Sequence, residues 1–333
     1  MSPCRTPLIA FPSKIEHIGE RSVRDETRHE VDGARIEQAL RTVRGRTLDC
    51  WMDLRAGDMS LVRLGELRDD LLDHVGARTV EDPALEADAS REALLTAAEC
   101  ALGVLGTGCF PEGDWEVPLP LVNTILTSAE QLYDEGRDQG HRVPTARNWI
   151  ETFRLCLISG LAWERRRVIG PLLREDYAPA IRSGVPYSRF DSVSEPADLA
   201  EMDALCAYLT VVRGRYPGSV PGPVPVERPG AEERAVAARA LDGAGALDPD
   251  QRLLRVLLDD DREAFERALA ARLEEHRASV GADPEPRTLL PTGAVALAAL
   301  AHLAHGWEPG VRSGYLPEAL LRVPASVPVD QSV

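Results

Sequence analysis

From Ser60 to Val75 the apolar residues Leu64, Leu67, Leu71 and Val75 recur at i, i+3, i+7 and i+11, a spacing that brings them onto one face of an α-helix. At about 100° per residue Glu66, Asp69, Asp70 and Asp73 turn to the opposite face. The segment therefore predicts an amphipathic helix with an acidic side. Ser90 reads as the N-cap of a second helix, which packs Leu94, Leu95, Ala98, Leu102 and Leu105 and stops at Gly106 and Gly108. Thr145 opens a third, whose Trp149, Ile150, Phe153, Cys156, Leu157 and Leu161 leave little polar surface and predict a central position. Ser194 reads as the cap of a fourth, with Pro196 tolerated in its first turn and Leu199, Met202, Cys206 and Leu209 at heptad-like spacing.

Further on, Leu253, Leu254, Leu257 and Leu258 form one apolar face, and Ala264, Phe265, Ala268, Leu269 and Leu273 form another. Between them stand Asp259, Asp260 and Asp261, so residues 249–280 predict a helical hairpin. With Asp260 as N-cap, Glu263 falls at N3 in a capping box. The one alternating run, Val117-Pro-Leu-Pro-Leu121, contains two prolines and predicts no strand. The pattern as a whole is all-α, a helical bundle or an irregular solenoid of paired helices.

Proline and glycine recur between Arg213 and Pro229, which marks a linker or a crossing loop. The chain then divides into an N-terminal extension over 1–30, expected to be flexible, and a helical part over 31–212. The 213–229 segment, a second helical part over 230–323 and a flexible tail over 324–333 follow.

Charge narrows the classes of partner. The 333 residues carry a formal net charge of −16, and Lys14 is the single lysine. Phosphate would repel such a chain at long range, which argues against nucleic acid and anionic membranes and favours a basic protein. Cys4, Cys50, Cys100, Cys109, Cys156 and Cys206 are scattered without a C-x-x-C and read as reduced core residues, which points to the cytoplasm. The run from Leu8 to Phe11 is too short for a secretory segment. The apolar stretch from Leu289 to Ala304, broken by Pro291, Gly293 and His302, reads as a buried helix.

Asp259-Asp260-Asp261-Arg262-Glu263 fits the D-D-x-x-[DE] pattern with which class I terpene synthases hold magnesium diphosphate. The second metal motif of such enzymes is missing, since Asn123 and Thr127 are followed by Gln131 where a glutamate is needed. Aromatic residues make up 5% of the chain, few for a pocket that stabilises carbocations. Helix capping is therefore the preferred reading of the aspartates. His302 and His305 have zinc-compatible spacing without a third ligand nearby, and Arg165, Arg166 and Arg167 read as a solvated helix turn. No catalytic residue, metal site or cofactor is assigned.

The acidic stretch from Glu66 to Glu92 holds nine carboxylates against three arginines. It is either a solvated face or an electrostatic landing surface for a basic protein. On the second reading Glu66, Asp69, Asp70, Asp73, Glu81 and Asp82 are the candidate partner-binding residues.

Four runs, Ala97–Gly103, Leu155–Glu164, Gln251–Asp261 and Arg312–Pro317, together with the order of segments over roughly 30–323, resemble actinobacterial members of the immunity protein 49 family of polymorphic toxin systems. The resemblance implies a cytoplasmic antitoxin that binds a cognate toxin domain and blocks it. It transfers no catalytic or toxin-contacting residue. A basic toxin such as a nuclease would suit the acidic balance. A magnesium-dependent enzyme of the terpene-synthase type and a helical scaffold or adaptor are the alternatives.

Overall fold

A computed structural model describes residues 24–57, 60–110, 113–127, 144–184, 193–211 and 225–324. The rest of the predicted N-terminal extension, most of the Pro/Gly-rich segment, Gln131 and the tail after residue 324 lie outside the described residues.

The fold is all-α, as the periodicities predict. Helices α1 (Gly33–Leu40) and α2 (Val43–Ala56) lead into a hairpin of α3 (Leu61–Glu81) and α4 (Asp88–Cys109). Ser60 caps α3 by accepting from the Arg63 amide, and Leu64, Leu67, Leu71 and Val75 are all buried. Helix α4 is long and apolar enough by composition to cross a membrane, but most of that apolar stretch is packed inside the protein. Its other side meets α5 (Ala146–Ile158), the predicted central helix, where ten of the thirteen residues are buried. Trp149 stacks on Phe153 at 5.6 Å and donates its indole N–H to the Leu173 carbonyl. The Asn148 side chain caps α5 by accepting from the Thr145 amide.

Short helices α6 (Leu161–Glu164), α7 (Ile169–Pro171) and α8 (Ala178–Arg182), with a π-helical turn over Leu172–Tyr177, lead towards α9 (Pro196–Tyr208). The second helical part comprises α10 (Ala231–Gly243), the hairpin α11 (Pro249–Leu258) and α12 (Arg262–Ser279), and α13 (Thr292–Leu303). Helix α13 packs on α5, and α10 on α9. A single apolar core runs from Cys50 to Leu321, so both helical parts share it. The Pro/Gly-rich segment leaves and re-enters at one place, because the Thr210 amide donates to the Pro225 carbonyl and the Glu227 amide to the Tyr208 carbonyl.

Several local expectations fail. Glu116–Leu119 is a strand, β2, paired antiparallel with β3 (Thr124–Thr127) despite Pro118. A two-stranded hairpin gives each strand an outer edge, where a residue without an N–H forfeits no ladder bond. Residues 24–30 are anchored and not a free extension. Arg24–Glu26 pairs in parallel with Val311–Ser313, and the His29 ring bonds the Tyr315 hydroxyl at 2.6 Å and the Thr288 hydroxyl at 2.9 Å. Ser90 is not an N-cap, since α4 starts at Asp88 and Asp82 accepts from the Glu86 and Ala87 amides ahead of it. Ser194 caps α5 instead of α9, its hydroxyl accepting from the Ala146 amide at 2.9 Å.

The predicted solvated arginine turn also reaches inward. Arg165 meets Glu99 of α4 at 2.5 Å, and Glu99 is only 3% exposed. Burial pushes the Glu99 carboxyl up to about 7, with Arg165 opposing the shift. An acid whose folded-state pKa lies above its unfolded value loses stability as pH rises between the two, here from 4.5 to about 7. Urea denaturation across this window should show a decline of ~3 kcal/mol attributable to Glu99. In Glu99→Gln that component of the slope should vanish.

Candidate acidic surface and internal ion pairs

The six acidic candidates do not form one patch. On α3, Glu66 and Asp70 are exposed and Asp69 is half-buried between them. Each has an arginine close by: Arg63 to Glu66 at 2.8 Å, Arg68 to Asp69 at 2.8 Å and Arg46 to Asp70 at 3.7 Å. Arg63 also pairs with Asp53 of α2 at 3.3 Å, so one guanidinium serves two carboxylates and the surface stays negative.

Asp73 is committed to the fold. Its oxygens accept from the Arg287 amide at 2.9 Å and from the Arg287 guanidinium at 3.0 Å. Its joint with the turn over Pro286–Leu289 is close because Gly76 lies there; a Cβ at that position would stand 2.1 Å from the Pro286 carbonyl oxygen. Glu81 and Asp82 sit at the far end of α3, eleven residues and ~16 Å beyond Asp70. Glu81 pairs with Arg78, and Asp82 closes the turn into α4. Asp70 and Asp73 line a groove of about 530 Å³ with Arg35, Arg46 and Glu285.

Periodicity located the acidic side of α3 correctly but missed Asp49 and Asp53 of α2, which extend it. It also missed Glu285, brought alongside from more than 200 residues away. The first two were within reach of the same spacing argument, whereas the third depends on tertiary packing alone.

The Asp259–Asp261 triplet is resolved residue by residue. Asp261 is the N-cap, accepting from the Ala264 amide at 3.0 Å, so the expected capping box from Asp260 to Glu263 does not form. Asp260 adopts the left-handed conformation at φ 60° and turns its carboxylate inward. There it meets Arg228 at 3.2 Å, Arg234 at 3.0 Å and His305 Nδ1 at 2.7 Å, while His305 Nε2 bonds the Tyr208 hydroxyl at 2.9 Å. Burial works to raise the Asp260 pKa, but the His305 hydrogen bond and the two guanidiniums outweigh it and hold the carboxyl below its ordinary range. Asp259 pairs with Arg255 at 2.6 Å. His302 Nδ1 bonds the Trp307 carbonyl at 3.1 Å, and the Trp307 ring lies 4.6 Å from that of His305. In the motif that resembles a magnesium site, Asp260 is thus held in an internal clasp, Asp259 is paired with Arg255 and Asp261 caps α12.

One other group of carboxylates comes close together among the described residues. Asp198, Glu201 and Asp248 each place an oxygen within 4.8 Å of the others. Guanidiniums occupy the space: Arg147 reaches Asp198 at 2.6 Å and Asp248 at 2.9 Å, and Arg154 reaches Glu201 at 2.7 Å and Asp250 at 3.1 Å. These pairs tie α5 to α9 and α11 and leave Glu201 Oε2 without a hydrogen-bond partner. The described cysteines are free and buried, and burial pushes Cys109 and Cys206 up to about 12, which leaves little thiolate for nucleophilic chemistry.

Removing the clasp carboxylate leaves Arg234 and the enclosed His305 without their acceptor. Asp260→Ala should therefore lower unfolding free energy by ~2–4 kcal/mol. Magnesium should not shift the melting temperature of the unmutated chain; a magnesium-dependent rise abolished by Asp260→Ala would restore the metal reading.

No curated protein and no solved structure matches the chain. A family model does, that of Immunity protein 49, over residues 82–320. The matched region takes in α4, the central α5, the ion-pair network and the Asp260 clasp. Helices α2 and α3 precede it, and of the six acidic candidates only Asp82 falls inside. With most of its length matched in this way, the chain belongs to the immunity protein 49 family.

Proposed function

We propose that this protein neutralises a cognate toxin of a polymorphic toxin system by binding the toxin domain in the cytoplasm before it can harm the producing or a sister cell. Membership of the immunity family carries the reading. Two structural features support it: the titratable clusters in the interior are taken up by ion pairs that hold helices together, and α3, with the adjoining Asp53 of α2, presents an acidic outer side.

Glu66, Asp69 and Asp70 form the landing surface together with Asp53, and Glu81 adds charge at the far end of α3. A basic toxin such as a nuclease would be drawn to this surface, and the carboxylates would stand where nucleic-acid phosphate otherwise binds. Charges of this kind accelerate association and orient the partner more than they add affinity. Asp73 and Asp82 contribute by holding α3 in place.

The test is association with the toxin domain encoded beside this chain's gene, followed by stopped-flow fluorescence. In Asp69→Arg/Asp70→Arg the association rate constant should fall roughly tenfold, with a weaker salt dependence. An unchanged rate and salt dependence would remove this surface from the interface.

A further inference from the structure

Single exposed apolar residues are ordinary on a protein surface. Among the described residues the large exposed ones are six valines and the trio Leu48, Met52 and Ile125. All three lie on elements that pack against each other, α2 and β3. Leu48 and Met52 lie one turn apart on the outer side of α2, and the β2–β3 hairpin packs beside them. Trp51 Nε1 donates to the Ile125 carbonyl at 3.2 Å. Arg55 covers the Trp51 ring at 5.2 Å, which fixes the indole between helix and hairpin. Leu48 and Val122 line a groove of about 520 Å³.

Charges of both signs flank this ridge, with Arg44 and Arg55 at its two ends and the carboxylates on the side towards α3. Asp49 and Asp53 follow Leu48 and Met52 in sequence, and Asp49 has no ion pair among the described residues. Asp53 and Glu66 share Arg63, and both lie near Cys50 together with Asp70. The apolar ridge of α2 and the acidic face of α3 are therefore one continuous surface. Arg44, at the rim of the groove, is held by Glu92 at 2.6 Å.

We infer that the ridge formed by Leu48, Met52 and Ile125 anchors the toxin, and that its occupant is a basic protein segment that seats an apolar side chain against the ridge while its cations meet Asp49 and Asp53. The inference rests on the toxin-neutralising reading. An apolar anchor ringed by polar groups is the arrangement in which few residues carry most of the binding energy. Methionine, unbranched and polarisable, fits its shape to an incoming side chain. Carboxylates beside the anchor select a cationic segment over a neutral or acidic one.

The experiment measures binding of the full chain to a catalytically disabled form of the toxin domain encoded beside its gene. Met52→Glu and Leu48→Glu should each raise the dissociation rate by roughly 30-fold or more. Both side chains are exposed, so melting temperatures should stay within ~2 °C of the unmutated chain. Asp49→Arg should mainly slow association. Binding within about twofold of the unmutated chain for both glutamate variants would overturn the ridge and leave the toxin-neutralising reading intact. Failure of the unmutated chain to bind the toxin would overturn both. A homodimer that Met52→Glu dissociates while toxin binding is unaffected would reassign the ridge to self-association.

Discussion

Arg154 is 7% exposed and carries a guanidinium that keeps its proton at any pH the protein meets. A buried charge of this kind costs several kcal/mol unless carboxylates are brought to it. Here they come from two other helices, Glu201 of α9 and Asp250 of α11, and Arg272 of α12 grips the far oxygen of Asp250 at 2.7 Å. The central helix thus docks with its neighbours in one register. Helix α13 closes over the knot only because residue 293 is glycine: a Cβ there would fall 1.8 Å from Asp250 Oδ2. The Pro/Gly-rich segment can cross between the two helical parts without dividing them, since both build this network and share one core.

That interior explains the distribution of roles. Arg147, Arg154 and Arg272 pair with carboxylates of the core network, and Arg228 and Arg234 pair with Asp260. On the outside, α3 carries five carboxylates against three arginines, whereas α2 carries two against three. These helices lie N-terminal to the segment that matches the immunity family, while the network and the Asp260 clasp lie mainly within it.

Side-chain period was sufficient for the long amphipathic helices. The leucines of α3, the near-continuous apolar run of α5 and the two leucine-rich faces of the α11–α12 hairpin are local signals, and the structure follows them. Features built by backbone pairing or by distant side chains were not legible. The strand Arg24–Glu26 pairs through its backbone with residues nearly 290 positions away, and Ser194 caps a helix 48 positions earlier. Asp260 shows the limit most clearly. Its place in a D-D-D turn suggested a cap, but Arg228, Arg234 and His305 draw it into a left-handed turn and the cap passes to Asp261. The acidic side of α3 was legible for a similar local reason, whereas the commitment of Asp73 depends on Arg287, 214 positions away.

The surface proposed to capture the toxin is the outer side of α2, α3 and the β2–β3 hairpin. Hydrogen–deuterium exchange of the chain alone and in complex with its toxin locates the contact directly. Protection should concentrate in peptides spanning 43–57, 60–73 and 120–127. Protection confined to 231–310, with these three segments exchanging as in the free chain, would contradict that placement.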